Sequence, residues 1–223
     1  LAGREKRLIL ADMDGTVIGC ECIDEIAAVA GVGPQVAAIT ERAMRGELDF
    51  EGALAERVAL LEGFDADLLE TVWAERVRLD PGAATLVRTM AARGGEAVLV
   101  SGGFTFFADR VARAAGFALA RANRLEIVEG RLTGRAPPPI LGREAKLATL
   151  RERAAARGLT LAETLAVGDG ANDLAMVEAA GLGVAYRAKP ALAERADARL
   201  DRSDLSAILH LQGVPRDAWV PGD

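Results

Sequence analysis

Leu8-Ile9-Leu10-Ala11 is apolar at every position and stops at Asp12-Met13-Asp14-Gly15-Thr16. A strand with one face in water alternates polar and apolar residues. A strand without a polar position must be covered on both faces, as in a parallel sheet held between helical layers. Similar runs return at Ala97–Val100, Leu165–Val167 and Leu182–Ala185, with alanine-rich stretches of helical spacing between them. The predicted fold class is therefore α/β, a doubly wound, Rossmann-like parallel sheet. A chain of 223 residues, 51% of them hydrophobic, can bury such a core and carry a modest insertion.

The insertion is visible as a delay. Residues 20 to 80 hold only helical patterns. Glu21–Ala30 ends at Gly31, and Pro34–Arg45 has Pro in its first turn and Gly46 after it. Asp49 can cap a helix running to Glu62, and Asp65 another running to Arg78. Four short helices after the first strand predict a small helical cap over the sheet's edge. The expected organisation is a core of residues 1–17 and 80–223 with a cap of residues 18–79. Pro81-Gly82 opens the helix that returns to the core. Further on, Leu125–Val128 and Arg131–Thr133 around Glu129-Gly130 predict a β-hairpin. Ala136–Pro139 reads as a rigid connector, Gly142–Arg157 as a helix, and the last ten residues as irregular.

A formal net charge of −6 argues against a nucleic-acid or anionic-membrane partner. No apolar run is long enough to span a bilayer, and Leu1–Arg7 has no signal-peptide pattern. Cys20 and Cys22 are too few and too close for a disulfide framework, and the single histidine, His210, is far from them in sequence. Two free thiols in a cytoplasmic protein are expected.

In open parallel sheets ligands bind beyond the carboxyl ends of the strands, so the strand endings matter most. Asp12-x-Asp14 delivers two carboxylates into one loop, where they hold a cation, split into acid and base, or form an Asp-rich turn. Ser101-Gly102-Gly103 reads as a phosphate cradle, with small residues admitting backbone N–H groups and a hydroxyl adding a donor, or as an ordinary Gly-Gly turn. Asp169, Asn172 and Asp173 follow the third strand, where acids suit a helix N-terminus or a metal shell. Lys146 stands out by composition. The chain has 27 Lys plus Arg, yet only Lys6, Lys146 and Lys189 are lysines. A lysine kept in an arginine-rich chain marks a place for a compact ammonium; Lys6 and Lys189 read as surface residues. Together these groups provide a nucleophile, an acid, a cation site and phosphate clamps.

Taken in order, Asp12–Thr16, Ser101–Gly103, Lys146 and Val167–Asp173 resemble the four motifs of the haloacid dehalogenase-like superfamily. The inserted Glu21–Ala27, Met44–Phe50 and Glu56–Leu61 are similar to the cap of its phosphoserine phosphatases. The resemblance implies Asp12 as nucleophile and Asp14 as the acid that protonates the leaving oxygen and then activates water. It implies Mg²⁺ as cofactor, held by Asp12, Asp169 and the main-chain carbonyl of Asp14. Ser101, Gly102 and Lys146 would bind phosphate, with Asn172 orienting that shell. Glu21 would meet the ammonium and Arg57 the carboxylate of a small phosphorylated amino acid, in serine biosynthesis. One departure is Gly15, where that subfamily commonly has Ser. A related phosphatase or phosphotransferase and a phosphate-accepting signalling module are the alternatives; the cap and Asp14 argue against the module.

Arg57 can also be read from its helix. It lies on or beside the apolar stripe Phe50, Leu54, Val58, Leu61. There it either covers apolar surface with its stem or aims its fork inward at a carboxylate.

Overall fold

A computed structural model describes residues 3–222. The first strand, β1 (Leu8–Ala11), is buried along its length: Leu8, Ile9 and Leu10 have no solvent exposure. Ile9 and Ala11 enter one apolar cluster and Leu8 and Leu10 another, so the two faces of β1 serve two separate layers. Each such side chain contributes roughly 1.5–3 kcal/mol through burial.

Four helices follow: α1 (Cys22–Ala30), α2 (Gly33–Met44), α3 (Phe50–Ala59) and α4 (Asp67–Glu75). Gly31 closes α1 at φ 75°, where a residue without a Cβ is favoured. The Asp49 carboxylate accepts the Gly52 N–H at 2.7 Å and so caps α3. Some expected boundaries shift, among them the end of α4 at Glu75 where about Arg78 was expected. The regular helix α3 ends at Ala59 instead of Glu62, in a turn that leads to Gly63. Asp65 accepts the Asp67 N–H in a local turn, and Ala66 holds the cap position of α4. Asp49→Ala should destabilise the protein by about 1 kcal/mol, read as a lower denaturation midpoint with an unchanged slope.

The chain leaves and re-enters the core side by side. Ile18 bridges Leu79 antiparallel, and the Asp80 N–H donates to the Val17 carbonyl at 2.8 Å. After Gly82 come α5 (Ala83–Ala92), β2 (Glu96–Phe104), α6 (Thr105–Ala115) and β3 (Leu119–Asn123). The hairpin β4 (Ile127–Val128) and β5 (Arg131–Leu132) turns through Glu129 and Gly130, both at positive φ, as a two-residue loop requires. It docks on the inserted helices: Gly63 N–H donates to the Leu132 carbonyl and Leu132 N–H to the Phe64 carbonyl. The rest is α7 (Arg143–Ala156), β6 (Thr164–Gly168), α8 (Leu174–Ala179), β7 (Gly183–Tyr186), α9 (Pro190–Ala193), β8 (Ala198–Leu200) and α10 (Ala207–Leu211). The last ten residues, expected to be irregular, hold a short 3-10 helix at Arg216–Ala218 and are tethered beyond it: Val220 N–H donates to Thr89 and Gly222 N–H to Thr85.

The sheet order is β3-β2-β1-β6-β7-β8, parallel throughout. Successive strands build outward from β1 on one side, then restart at β6 on the other. The switch point between β1 and β6 opens the crevice where such sheets bind ligands. Strands β3 and β8 do not stand out in the sequence. They are the edges, with only partial burial, and they carry Arg121 and Arg199, so neither reads as a continuous apolar run.

Candidate active site

Register determines which residues meet. Ala11 pairs with both Leu99 and Val167, so Asp12 lies one residue, and Ser101 and Asp169 two residues, beyond a shared level. The Asp12 N–H continues the ladder to the Val167 carbonyl at 3.0 Å. A pocket of about 100 Å³ opens here, walled by Asp12, Asp14, Ser101, Gly102, Asp169 and Asn172 from the sheet edge, and by Glu21 and Arg57 from the inserted helices. Of the candidate residues named from the sequence, Lys146 and Asp173 lie outside that lining; Lys146 sits against Asp12 from the α7 side.

Asp12 is 4% exposed. Its Oδ1 accepts the Met13 N–H at 2.8 Å, and its Oδ2 lies 2.7 Å from Lys146 Nζ and 3.4 Å from Asn172 Nδ2. Lys146 is 1% exposed and also donates to Asp173 Oδ1 at 2.6 Å. Burial works against the Lys146 charge, but Asp12 and Asp173 outweigh it and hold its pKa above the usual lysine value. The other oxygen of Asp173 accepts the N–H groups of Asp169 and Gly170, at 3.2 and 3.1 Å. Asp173 thus props Lys146 and the Asp169 loop at once. The sequence placed Asp173 between two roles, helix end and metal shell. This pairing with Lys146, 27 residues earlier, had no signal there.

Asp14 accepts the Cys22 N–H at 3.2 Å. Burial, then repulsion from Glu21 and Asp12, pushes its pKa up to about 7. A carboxyl of that kind can give a proton near neutrality and take one back. Gly103 makes room for it: a Cβ there would sit 2.7 Å from Asp14 Oδ2. Gly15 has φ 68°, and a Cβ there would lie 2.8 Å from Asp169 Oδ2, so a side chain at this position would be strained and would crowd Asp169.

One oxygen from each of Asp12, Asp169 and Asp173 lies within 4.8 Å of the others. Asp173 is committed to Lys146 and two N–H groups. Asp12 and Asp169 converge beside the pocket, and Thr16 donates to Asp169 Oδ1 at 3.4 Å. All-oxygen donors of this kind fit a hard divalent cation, which tolerates water in its remaining positions.

The inserted helices close the other side. Arg57 donates from Nε to the Ala53 carbonyl at 3.1 Å, which holds its stem along α3 and leaves both terminal nitrogens for a ligand. Leu54, Val58 and Leu61 are buried, whereas Phe50 is 36% exposed and lies over the Ser101–Gly103 loop, its ring 3.0 Å from where a Gly102 Cβ would be. Burial, then Asp169, raises the pKa of Glu21, and Lys189 opposes the rise. Lys189 is exposed, as expected, yet it lines the pocket, and its N–H donates to the Asp169 carbonyl at 2.8 Å. Its sequence position before Pro190 gave no sign of that. Cys20 and Cys22 are free thiols.

A buried carboxylate at a parallel-sheet switch point, a buried lysine beside it, a second carboxyl in the same loop and a helical insertion define a class. The chain belongs to the haloacid dehalogenase-like hydrolases, whose family model matches residues 9–178. A phosphoserine phosphatase of Streptomyces coelicolor is 50% identical over 220 residues, which is 99% of this chain and 53% of that protein. The chain thus spans about half the length of that relative. A phosphoserine phosphatase of Streptococcus thermophilus is 45% identical, over 92% of this chain and 95% of its own. A substrate-bound phosphoserine phosphatase structure superposes with a TM-score of 0.85 at 40% identity, covering 92% of this chain and 98% of that one. No helix among the described residues is long and apolar enough to cross a membrane.

Proposed function

We propose that this chain hydrolyses O-phosphoserine to serine and phosphate through an aspartyl-phosphate on Asp12, in serine biosynthesis. The observation that carries the proposal is one small pocket lined both by Asp12 and Asp14 and by Glu21 and Arg57 of the inserted segment. The similarity to phosphoserine phosphatases supports the same reading.

Asp12 attacks phosphorus, the bond to the serine oxygen breaks, and Asp14 gives that oxygen its proton. Asp14, now a carboxylate, takes a proton from water as the water attacks the aspartyl-phosphate, which frees Asp12 and releases phosphate. Ser101, the Gly102 N–H and Lys146 hold the phosphoryl oxygens, and Asn172 orients this shell. Asp12, Asp169 and the Asp14 main-chain carbonyl would hold Mg²⁺, which supplies charge neutralisation at the phosphoryl group. Residues 18–79 act as a cap over a core of residues 1–17 and 80–223.

Selectivity must come from the cap, because phosphate contacts are common to all monoesters. Phosphoserine needs a cation and an anion on opposite sides of its head. Arg57 offers a fork matched to a carboxylate, and Glu21 an acceptor for an ammonium. Losing one partner of such a pair costs about 2–5 kcal/mol when it is desolvated. Arg57→Ala should therefore lower kcat/KM for phosphoserine by roughly 30-fold or more, and far less for p-nitrophenyl phosphate. Equal losses on both substrates would overturn the phosphoserine reading.

A further inference from the structure

The phosphate loop interrupts its own sheet. Val100 pairs with Arg121 and Phe104 with Asn123, so four steps along β2 match two along β3. The Ser101–Gly103 segment therefore leaves the ladder, and a carbonyl in it needs another partner. Asn123, 2% exposed, provides one: its Nδ2 donates to the Gly102 carbonyl at 2.8 Å. The same Nδ2 donates to the Leu141 carbonyl at 3.2 Å, and Oδ1 accepts the Leu141 N–H at 2.6 Å. One amide thus ties the phosphate loop to the connector that enters α7, the helix carrying Lys146.

The consequence reaches the hydroxyl of Ser101. The Gly102 carbonyl and the Gly103 N–H belong to one planar peptide and point in opposite directions. With the carbonyl held by Asn123, the Gly103 N–H faces the site and donates to Ser101 Oγ at 2.8 Å. A hydroxyl that accepts this bond keeps its own proton to give away. We propose that Asn123 is a positioning residue for phosphate binding: by orienting the Gly102–Gly103 peptide it commits the Ser101 hydroxyl as a donor to the phosphoryl group. The inference rests on the phosphate-site reading above and assigns Asn123 no contact with substrate.

The test is a double-mutant cycle read by competitive inhibition with inorganic phosphate, alongside thermal unfolding. A hydrogen bond to a charged group sets the scale. Ser101→Ala and Asn123→Ala should each weaken phosphate inhibition about tenfold, and the double variant should be no weaker than the worse single one. Asn123→Asp keeps an acceptor for Leu141 but lacks the donors; it should weaken inhibition similarly and replaces the alanine variant if that does not fold. Independent effects that multiply in the double variant would overturn the inference. So would a lower Tm at Asn123 with phosphate inhibition unchanged. If Ser101→Ala itself leaves inhibition unchanged, the phosphate-site reading falls and this inference with it. If Ser101→Ala weakens inhibition and the Asn123 variants do not, the inference falls alone.

Discussion

Asp12→Asn should leave a folded protein that binds phosphate and turns over nothing. An amide nearly matches the carboxylate in shape, so β1 and its two apolar layers are undisturbed. Lys146 keeps Asp173 as its partner, so the ammonium is not stranded. What disappears is the proposed nucleophile, because an amide oxygen does not attack a phosphomonoester. Loss of a covalent nucleophile costs a factor on the order of 10⁶ in kcat. Phosphate release from phosphoserine by the purified variant is the measurement, with circular dichroism and Tm as controls. Activity near the normal rate in a folded Asp12→Asn protein would overturn the mechanism.

Lys146→Met should damage both stability and turnover. Methionine retains a straight, flexible stem but removes the charge that lies 2.7 Å from Asp12 and 2.6 Å from Asp173. The two carboxylates are then buried face to face with no cation between them. Removing one partner from a buried ionic cluster costs about 3–5 kcal/mol, read as a lower urea midpoint in chelator-treated protein. The pH dependence has a definite sign. Burial, then Asp12, already pushes Asp173 up to about 7, and Lys146 is among the groups that oppose the rise. Without Lys146 the folded-state pKa moves higher still. A carboxyl raised above its unfolded value favours the fold below the unfolded pKa, and that favour is lost as pH rises through the folded one. The deficit of Lys146→Met against the native protein should therefore shrink as pH falls from neutral toward the acid range. A deficit that stays constant with pH would show that the lost methylene packing, and not the ion cluster, sets the cost.

The two variants separate chemistry from architecture at a single contact. Asp12→Asn removes the proposed nucleophile and leaves Lys146 paired with Asp173, whereas Lys146→Met keeps that nucleophile and strips both carboxylates of their cation. A protein in which both lost only stability would not be using this contact for catalysis.

Lys146 and Asp173 also show how far a linear reading reaches. Lys146 was conspicuous because the chain otherwise prefers arginine, so composition marked it. Asp173 was visible as an acid after a strand, but nothing local tied it to a lysine one helix and one strand earlier. Asn123 carried no signal at all. Its importance comes from a register shift between β2 and β3, and β3 did not read as a strand because an edge strand need not be apolar on both faces. Lys189 read as a surface lysine and is exposed, but the turn before Pro190 brings it to the pocket rim.

The amino-acid sequence alone determined the layered parallel sheet, the four-helix insertion and the order of the polar strand endings. Those follow from local rules: an unbroken apolar run needs cover on both faces, Gly and Pro end helices, and strand ends carry the site. The tertiary structure alone decided which carboxylate supports Lys146, which amide replaces the broken ladder beside Ser101, and how the hairpin at Leu132 docks on Gly63. Each of those contacts joins residues distant in the chain. Such contacts depend on strand register and helix placement, and these are set only when the whole core packs and every buried polar group must find a partner.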